Sequence, residues 1–249
     1  MRVTRSILAW FTGITFMVAL FPITFIIWLL TLPFDRKRRV IHMLLMWQST
    51  FITYILPVWK VQISGKDKIP AKGTFVIISN HQSLLDILVI NCLCMRFKWV
   101  SKIENNRVPF LGWYLQMADY LTVDRQNDES KSIMLAKAYS CLKEGTSVMI
   151  FPEGTRSHDG SVSYFKRGAF QLALETSLPI LPLVIDGTGG ILPKHSLIFS
   201  NDNRITLLAM DPVQPSSFGT DDPEELADKF RKLITSELTN IRTKNAAHS

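Results

Sequence analysis

Cysteine is scarce in this chain: 249 residues hold three, Cys92, Cys94 and Cys141. An odd count with no second pair cannot complete a zinc site. Because Cys92 and Cys94 sit inside an apolar run, all three are expected to be core thiols in a reducing compartment. Histidine numbers five, and neither an HExxH motif nor a second histidine at ligand spacing stands near His81, so a metal centre there lacks its ligand set. Internal repeats and low-complexity linkers are absent. Charge is thin as well, at 20% of residues, with 21 acidic against 28 basic side chains. The resulting net charge of +7 favours anionic partners without choosing among nucleic acid, a membrane surface and phosphorylated small molecules.

Hydrophobic residues make up 47% of the chain, enough to bury one sizeable core, with one catalytic-sized domain and an appendage as the default. The appendage is at the N-terminus. Residues 7–34 contain no charge and are interrupted only by threonines, Gly13, Pro22 and Pro33. As a helix this stretch reaches roughly 40 Å, more than the roughly 30 Å hydrocarbon layer of a bilayer, and Pro22 predicts a kink. A cleaved signal peptide fits poorly, because the apolar part is too long and no small-residue cleavage site follows. Arg36, Lys37, Arg38 and Arg39 close the stretch, and a second apolar segment covers 40–59 with His42, Gln48 and Ser49 inside it. Two full crossings would leave the basic cluster on the far side from the rest of the chain, against the positive-inside tendency. A hairpin entering one leaflet, with its basic turn among anionic headgroups, fits better; a single span followed by an interfacial helix is the other arrangement.

From residue 60 onward, short apolar runs alternate with helical patterns, which predicts an α/β domain with a mixed sheet flanked by helices. Residues 61–64, 75–79, 97–101, 120–123, 147–151, 180–185 and 205–210 are the strand candidates, each rich in β-branched or aromatic side chains. Helices are expected over 84–95, 130–144, 168–176 and from Pro223 to the C-terminus. The last is expected to start from Asp222 as N-cap, with Glu225 completing a capping box. The chain thus divides into a membrane-anchoring helical hairpin, 1–59, and a catalytic domain, 60–249.

Two clusters carry chemistry. The run Asn80, His81, Gln82, Ser83, Leu84, Leu85, Asp86 lies where a predicted strand gives way to a helix, the place where α/β proteins hold their sites. A histidine there can take a proton from an attacking hydroxyl, and a carboxylate on its other ring nitrogen fixes the tautomer. Five residues of helix rotate about 500°, so a regular helix would point His81 and Asp86 apart. His81 is therefore expected before the helix and Asp86 in its first turn. A capped helix start with a solvent-facing histidine is the plainer alternative. The second cluster, Pro152, Glu153, Gly154, Thr155, Arg156, Ser157, follows another strand, where glycine admits an anion to the backbone and arginine grips it bidentately. Arg125 and Lys102 follow two further predicted strands. Singly, each is expected as a solvated surface charge; together they bring cations to one sheet edge.

These blocks resemble the 1-acylglycerol-3-phosphate acyltransferases of the glycerolipid acyltransferase superfamily, over roughly 61–193. The matching residues are His81 with Asp86 after four intervening positions; Val123, Asp124, Arg125; the block 151–157 followed by Phe165, Lys166, Arg167, Gly168, Ala169; and 178–183. Asp119 stands where the family often has glycine. The resemblance implies a transfer of a fatty acyl group from acyl-CoA or acyl carrier protein to the sn-2 hydroxyl of 1-acylglycerol-3-phosphate, giving phosphatidic acid for phospholipid synthesis. His81 would be the general base and Asp86 its partner. Lys102, Arg125 and Arg156 would hold the acceptor phosphate, while Glu153, Gly154 and Thr155 would shape the acceptor pocket. It implies no metal, no cofactor beyond the thioester co-substrate and no nucleic-acid partner, with the bilayer and a lysophospholipid as partners and the catalytic domain on the cytoplasmic face.

Three other readings compete. A different lysophospholipid as acceptor changes the head group alone. A metallohydrolase built on His81, Asp86 and His158 requires a ligand set the sequence lacks, and His158, His195 and His248 are expected as surface residues. A non-catalytic binder of anionic lipid explains the N-terminal segment and the charge, but leaves the His81 and Asp86 block without a purpose.

Overall fold

The computed structural model describes residues 2–56, 58–201 and 204–247, so His248 lies outside the described residues. The charge-free stretch forms one helix, α1 (Arg2–Thr31), which runs unbroken through Pro22, and the second apolar segment forms α2 (Arg39–Ile55). Asp35, an acid embedded in the basic turn, accepts the backbone N–H groups of Arg39 and Val40 at 2.9 and 2.8 Å. It satisfies two amides that would otherwise be orphaned at the start of α2.

The elements that follow are β1 (Lys60–Ser64), β2 (Val76–Ser79), α3 (Leu85–Asn91), β3 (Phe97–Lys102), α4 (Leu111–Met117), β4 (Leu121–Val123), α5 (Asp128–Lys143), β5 (Ser147–Ile150), α6 (Gly168–Thr176), β6 (Ile180–Asp186), α7 (Thr188–Ile191), β7 (Arg204–Ala209) and α8 (Pro223–Ala247). All seven predicted strands are present. The helix expected over 84–95 is shorter, because the chain tightens into a turn and Cys94 adopts a left-handed conformation, φ 54°. That geometry leaves Cys94 exposed and Cys141 half-buried; of the three thiols expected in the core, Cys92 alone is buried. Helix α4 was not expected from the pattern. It depends on Gly112, where an added Cβ would lie 2.2 Å from the Asn106 carbonyl oxygen, a clash that only glycine avoids. At α8 the predicted capping box is not closed by Glu225, whose carboxylate turns to Thr220 Oγ1 and Lys229 Nζ. The Asp222 N–H donates to Thr220 Oγ1 instead, while Asp222 Oδ1 accepts from Glu224 N at 2.9 Å.

The strands make one seven-stranded sheet in the order β1-β7-β6-β2-β5-β3-β4. Pairing from β6 through β2, β5 and β3 to β4 is parallel, whereas β7 runs antiparallel to β6 and β1 parallel to β7. Strand alternation sorts side chains to two faces. Ile77, Met149, Leu181 and Leu183 pack with α3 in one layer; Val76, Ile78, Val148 and Ile150 pack with α5, α6 and α8 in the other. The single core expected from composition is thus split by the sheet into two. An apolar stripe of α8 is buried at Leu226, Phe230, Ile234, Leu238 and Ile241, each such side chain contributing about 1.5–3 kcal/mol on burial.

The N-terminal hairpin packs on the same layer as α3. Ala9, Met46 and Ile52 share a cluster with Ile77 and Met149. Helix α1 is also tied down along its length: Ser6 Oγ accepts from Phe199 N at 2.9 Å, Trp10 Nε1 donates to Leu197 O at 2.8 Å, and Tyr114 Oη donates to Met17 O at 2.9 Å. Gln48 Nε2 donates to Thr24 Oγ1 at 2.9 Å, joining the two helices. His42 meets the Tyr120 hydroxyl and Met95 O, each at 2.8 Å, which fixes α2 to the sheet. The other side of α1 is bare, exposing Val3, Ile7, Phe11, Ile14, Ile26 and Leu30.

Candidate active site

Strand β2 lies where the order of crossovers reverses, between β6 and β5, the position at which parallel sheets open a crevice beyond their carboxyl ends. The chain leaves β2 through Asn80. Its side chain prolongs the ladder with β6, Nδ2 donating to Ile185 O at 2.8 Å and Oδ1 accepting from Ile185 N at 2.9 Å. This side-chain splice frees the main chain at residue 81 to turn away from the sheet.

His81 follows, before α3, and Asp86 is the second residue of that helix. His81 Nδ1 lies 2.7 Å from Asp86 Oδ2, and Asp86 is fully buried. The same oxygen accepts the N–H groups of Gln82 at 2.7 Å and Ser83 at 3.0 Å, while Oδ1 accepts the Thr188 hydroxyl. Four donors converge on one carboxylate, which serves them all as acceptor. Nδ1 must carry the proton, and the lone pair is left on Nε2, which has no partner among the described residues. The imidazole also stacks on Phe151, and Phe151 on Trp99. His81 is accordingly held edge and face, and it is not the solvent-facing histidine of the plainer reading.

Glu153, beyond β5, is buried and turned inward. Its Oε1 accepts His81 N at 2.8 Å and Oε2 accepts Ser163 N at 3.0 Å, while Ser157 N donates to His81 O at 2.8 Å. Burial pushes its carboxyl above the usual value, partly opposed by the N–H groups of Ser163 and His81. Glu153 clamps the 153–163 loop to the histidine backbone. Gly154 takes φ 68°, and a Cβ there would meet Lys166 Nζ at 2.9 Å, so glycine lets Lys166 cross the loop.

Parallel pairing places Lys102, Arg125 and the loop bearing Arg156 at the carboxyl edge that holds His81. Lys102 is paired with Glu104 at 2.7 Å. Arg125 is half-buried, and desolvation lowers its guanidinium pKa against the support of the nearby Glu104 charge. The Arg156 guanidinium has no partner among the described residues. Its carbonyl accepts Lys194 Nζ at 2.9 Å, and the same ammonium donates to Thr155 Oγ1 at 3.2 Å and lies 3.1 Å from His158 Nε2. His158 and His195 are exposed, as expected, and no group of three or more metal-ligating side chains occurs among the described residues.

Four contributors were not read from the sequence, Thr188, Trp99, Lys194 and Glu104, while Phe151 stood in the block 151–157 without a role. Only Glu104, two residues after Lys102, left a local signal. Asp119 has φ 51° and pairs with Lys98, which gives a physical reason for glycine at this position elsewhere: the backbone is left-handed, and aspartate tolerates it better than most residues.

Comparison with known proteins places these residues in context. A family model described as Acyltransferase matches residues 60–186. A chloroplastic 1-acyl-sn-glycerol-3-phosphate acyltransferase of Brassica napus is 34% identical over 213 residues, covering 84% of this chain and 60% of that protein. The 1-acyl-sn-glycerol-3-phosphate acyltransferase alpha of Homo sapiens is 31% identical over 211 residues, covering 84% of this chain and 74% of that one. The chain thus spans less than two thirds of the plastid relative's length. The crystal structure of the 1-acyl-sn-glycerophosphate acyltransferase PlsC from Thermotoga maritima superimposes with a TM-score of 0.80 at 25% identity, covering 97% of this chain and 98% of the other.

Proposed function

The chain belongs to the acyltransferase family that includes the 1-acyl-sn-glycerol-3-phosphate acyltransferases, and from that premise we propose that it transfers a fatty acyl group from a thioester to the sn-2 hydroxyl of 1-acylglycerol-3-phosphate. One observation carries the mechanism: His81 Nδ1 lies 2.7 Å from Oδ2 of a fully buried Asp86, while Nε2 has no partner among the described residues. In the proposed reaction Nε2 takes the proton of the acceptor hydroxyl as its oxygen attacks the thioester carbonyl. The tetrahedral intermediate collapses by breaking the carbon–sulfur bond, and the imidazolium returns its proton to the departing thiolate. Asp86 stabilises the imidazolium meanwhile. The thioester is already activated, so no covalent acyl-enzyme is required. Acyl-CoA and acyl carrier protein both supply such a donor.

Lys102, Arg125 and Arg156 are the proposed ligands of the acceptor phosphate, supported by their common sheet edge and the unpartnered Arg156. The loop 153–155 borders the acceptor, with Glu153 acting through the His81 backbone. The bare side of α1 supports insertion of the hairpin into one leaflet, as do the contacts that bind α1 to the domain; a crossing helix could not keep both. Residues 1–59 are proposed as the anchor and 60–249 as the catalytic domain on the cytoplasmic face. An assay of the purified full chain with lysophosphatidate and other lysophospholipids against both donor types tests the proposal. Equal use of an acceptor lacking the phosphate would remove the lysophosphatidate assignment.

A further inference from the structure

A cavity of about 740 Å³ opens at the edge of the sheet opposite His81. It lies where β2, β3 and β5 begin, and it is walled by the first turn of α2, the end of the α3 turn and the 66–75 loop. Six cationic side chains line it, Lys37, Arg39, Lys66, Lys72, Arg96 and Lys98, and no Asp or Glu does. Two of the six are paired from outside the lining, Lys37 with Glu144 and Lys98 with Asp119. Arg39, Lys66, Lys72 and Arg96 form no ion pair among the described residues. Four uncompensated cations around one concavity repel one another, and the arrangement gains most from a bound anion. The nearest acid of the turn, Asp35, is buried and committed to the amides of α2.

We propose that this cavity binds the phosphate headgroup of an anionic phospholipid, at a site separate from the acceptor site. The lipid source follows from position. Phe34, 73% exposed, immediately precedes the turn that supplies Lys37 and Arg39, and the bare stripe of α1 leads to that turn. With the hairpin in the leaflet, as proposed above, the rim of the cavity lies at headgroup depth, where each cation strengthens attachment to an anionic surface. The cavity is tied to the edge of the sheet, because Lys98 and His42 in its lining are bonded to Ala118 O and Tyr120 Oη in the segment that leads into β4.

The test compares the full-length wild type with Lys72→Glu/Arg96→Glu, two exposed positions, and with Lys137→Glu/Lys232→Glu, which changes net charge equally on other surfaces. Partition to vesicles of phosphatidylcholine is measured with and without phosphatidylglycerol. The expected result is a loss of at least about tenfold in partition to the mixed vesicles for the cavity variant, less than about threefold for the control, and no difference on phosphatidylcholine alone. Equal losses in both variants would reduce the cavity to diffuse surface charge and overturn the proposal. So would titratable binding of inorganic phosphate that millimolar phosphate uses to displace the protein from mixed vesicles, because the ligand would then be a soluble phosphate. Acyl transfer to a short-chain acceptor is followed in parallel: its absence in wild type refutes the proposed reaction while leaving the partition result to decide the headgroup site.

Discussion

The imidazole of His81 lies flat on the phenyl ring of Phe151, with centroids 3.8 Å apart and planes 11° from parallel. Together with the Asp86 contact, this leaves the ring one free edge and no rotamer freedom. An imidazolium over an aromatic face is also electrostatically favoured, by about 0.5–2 kcal/mol, so Phe151 would support the charge that develops on the base.

His81→Ala is accordingly expected to lower turnover at least about 10²-fold, about 2.7 kcal/mol of activation free energy. Phe151→Leu should lower it by a smaller factor with unchanged acceptor KM. Steady-state kinetics on folded protein checks both, and near-normal turnover in His81→Ala would dismiss the base. Asp86→Ala should also destabilise the fold by about 2–4 kcal/mol, because it strands the Gln82 and Ser83 N–H groups and the Thr188 hydroxyl.

Arg125→Ala and Arg156→Ala should raise KM for the phosphorylated acceptor, cutting kcat/KM about tenfold or more, with little change in the donor KM. Arg156→Lys should recover only part of the loss, since an ammonium cannot present the planar fork. A donor KM that rises in step would move these arginines to the thioester side.

Glu153 offers a pH test. Its folded-state pKa is raised by burial, so its contribution to stability is fully present below the unfolded carboxyl pKa and is lost as pH rises through the raised folded value. Glu153→Gln should flatten that part of the stability profile. It should also cost about 1–3 kcal/mol, because one amide edge faces an N–H donor instead of accepting from it. Denaturant titrations across the acid range measure both, and an unchanged slope would show that Glu153 does not titrate there.

Phe11→Asp with Leu30→Asp places charges on two residues of α1 that are 67% and 66% exposed. The variant should fold normally and lose sedimentation with liposomes. It should also lose activity on long-chain acceptors far more than on soluble ones. Full retention on liposomes would mean that this side of α1 does not face lipid.

How much of this was legible in the sequence depended on range. Strands such as 76–79 and 147–150 announce themselves through β-branched runs, and His81 with Asp86 are five residues apart, so helix geometry alone predicted which one stands outside α3. Thr188 reaches Asp86 across 102 residues and Lys194 reaches the Arg156 carbonyl across 38, contacts that exist only once β6 lies beside β2. Asn80 read as part of a motif, yet its side chain does structural work as a splice to Ile185, and Asn80→Asp should weaken the junction by removing the donor to the Ile185 carbonyl. Cys94 was misjudged because an apolar neighbourhood does not reveal a left-handed turn. Helix α4 was missed because a single glycine contact, not periodicity, licenses it.

The bonds that join Ser6, Trp10, Met17 and His42 to the body of the protein have a further consequence for encounter. An anchor on a flexible tether would let the catalytic crevice sample many heights and tilts above the bilayer. On the proposed reading, an anchor bonded to the domain would allow one height and one tilt, so the search for acceptor would reduce to gliding in two dimensions, with the crevice presented at the same depth to each passing lipid.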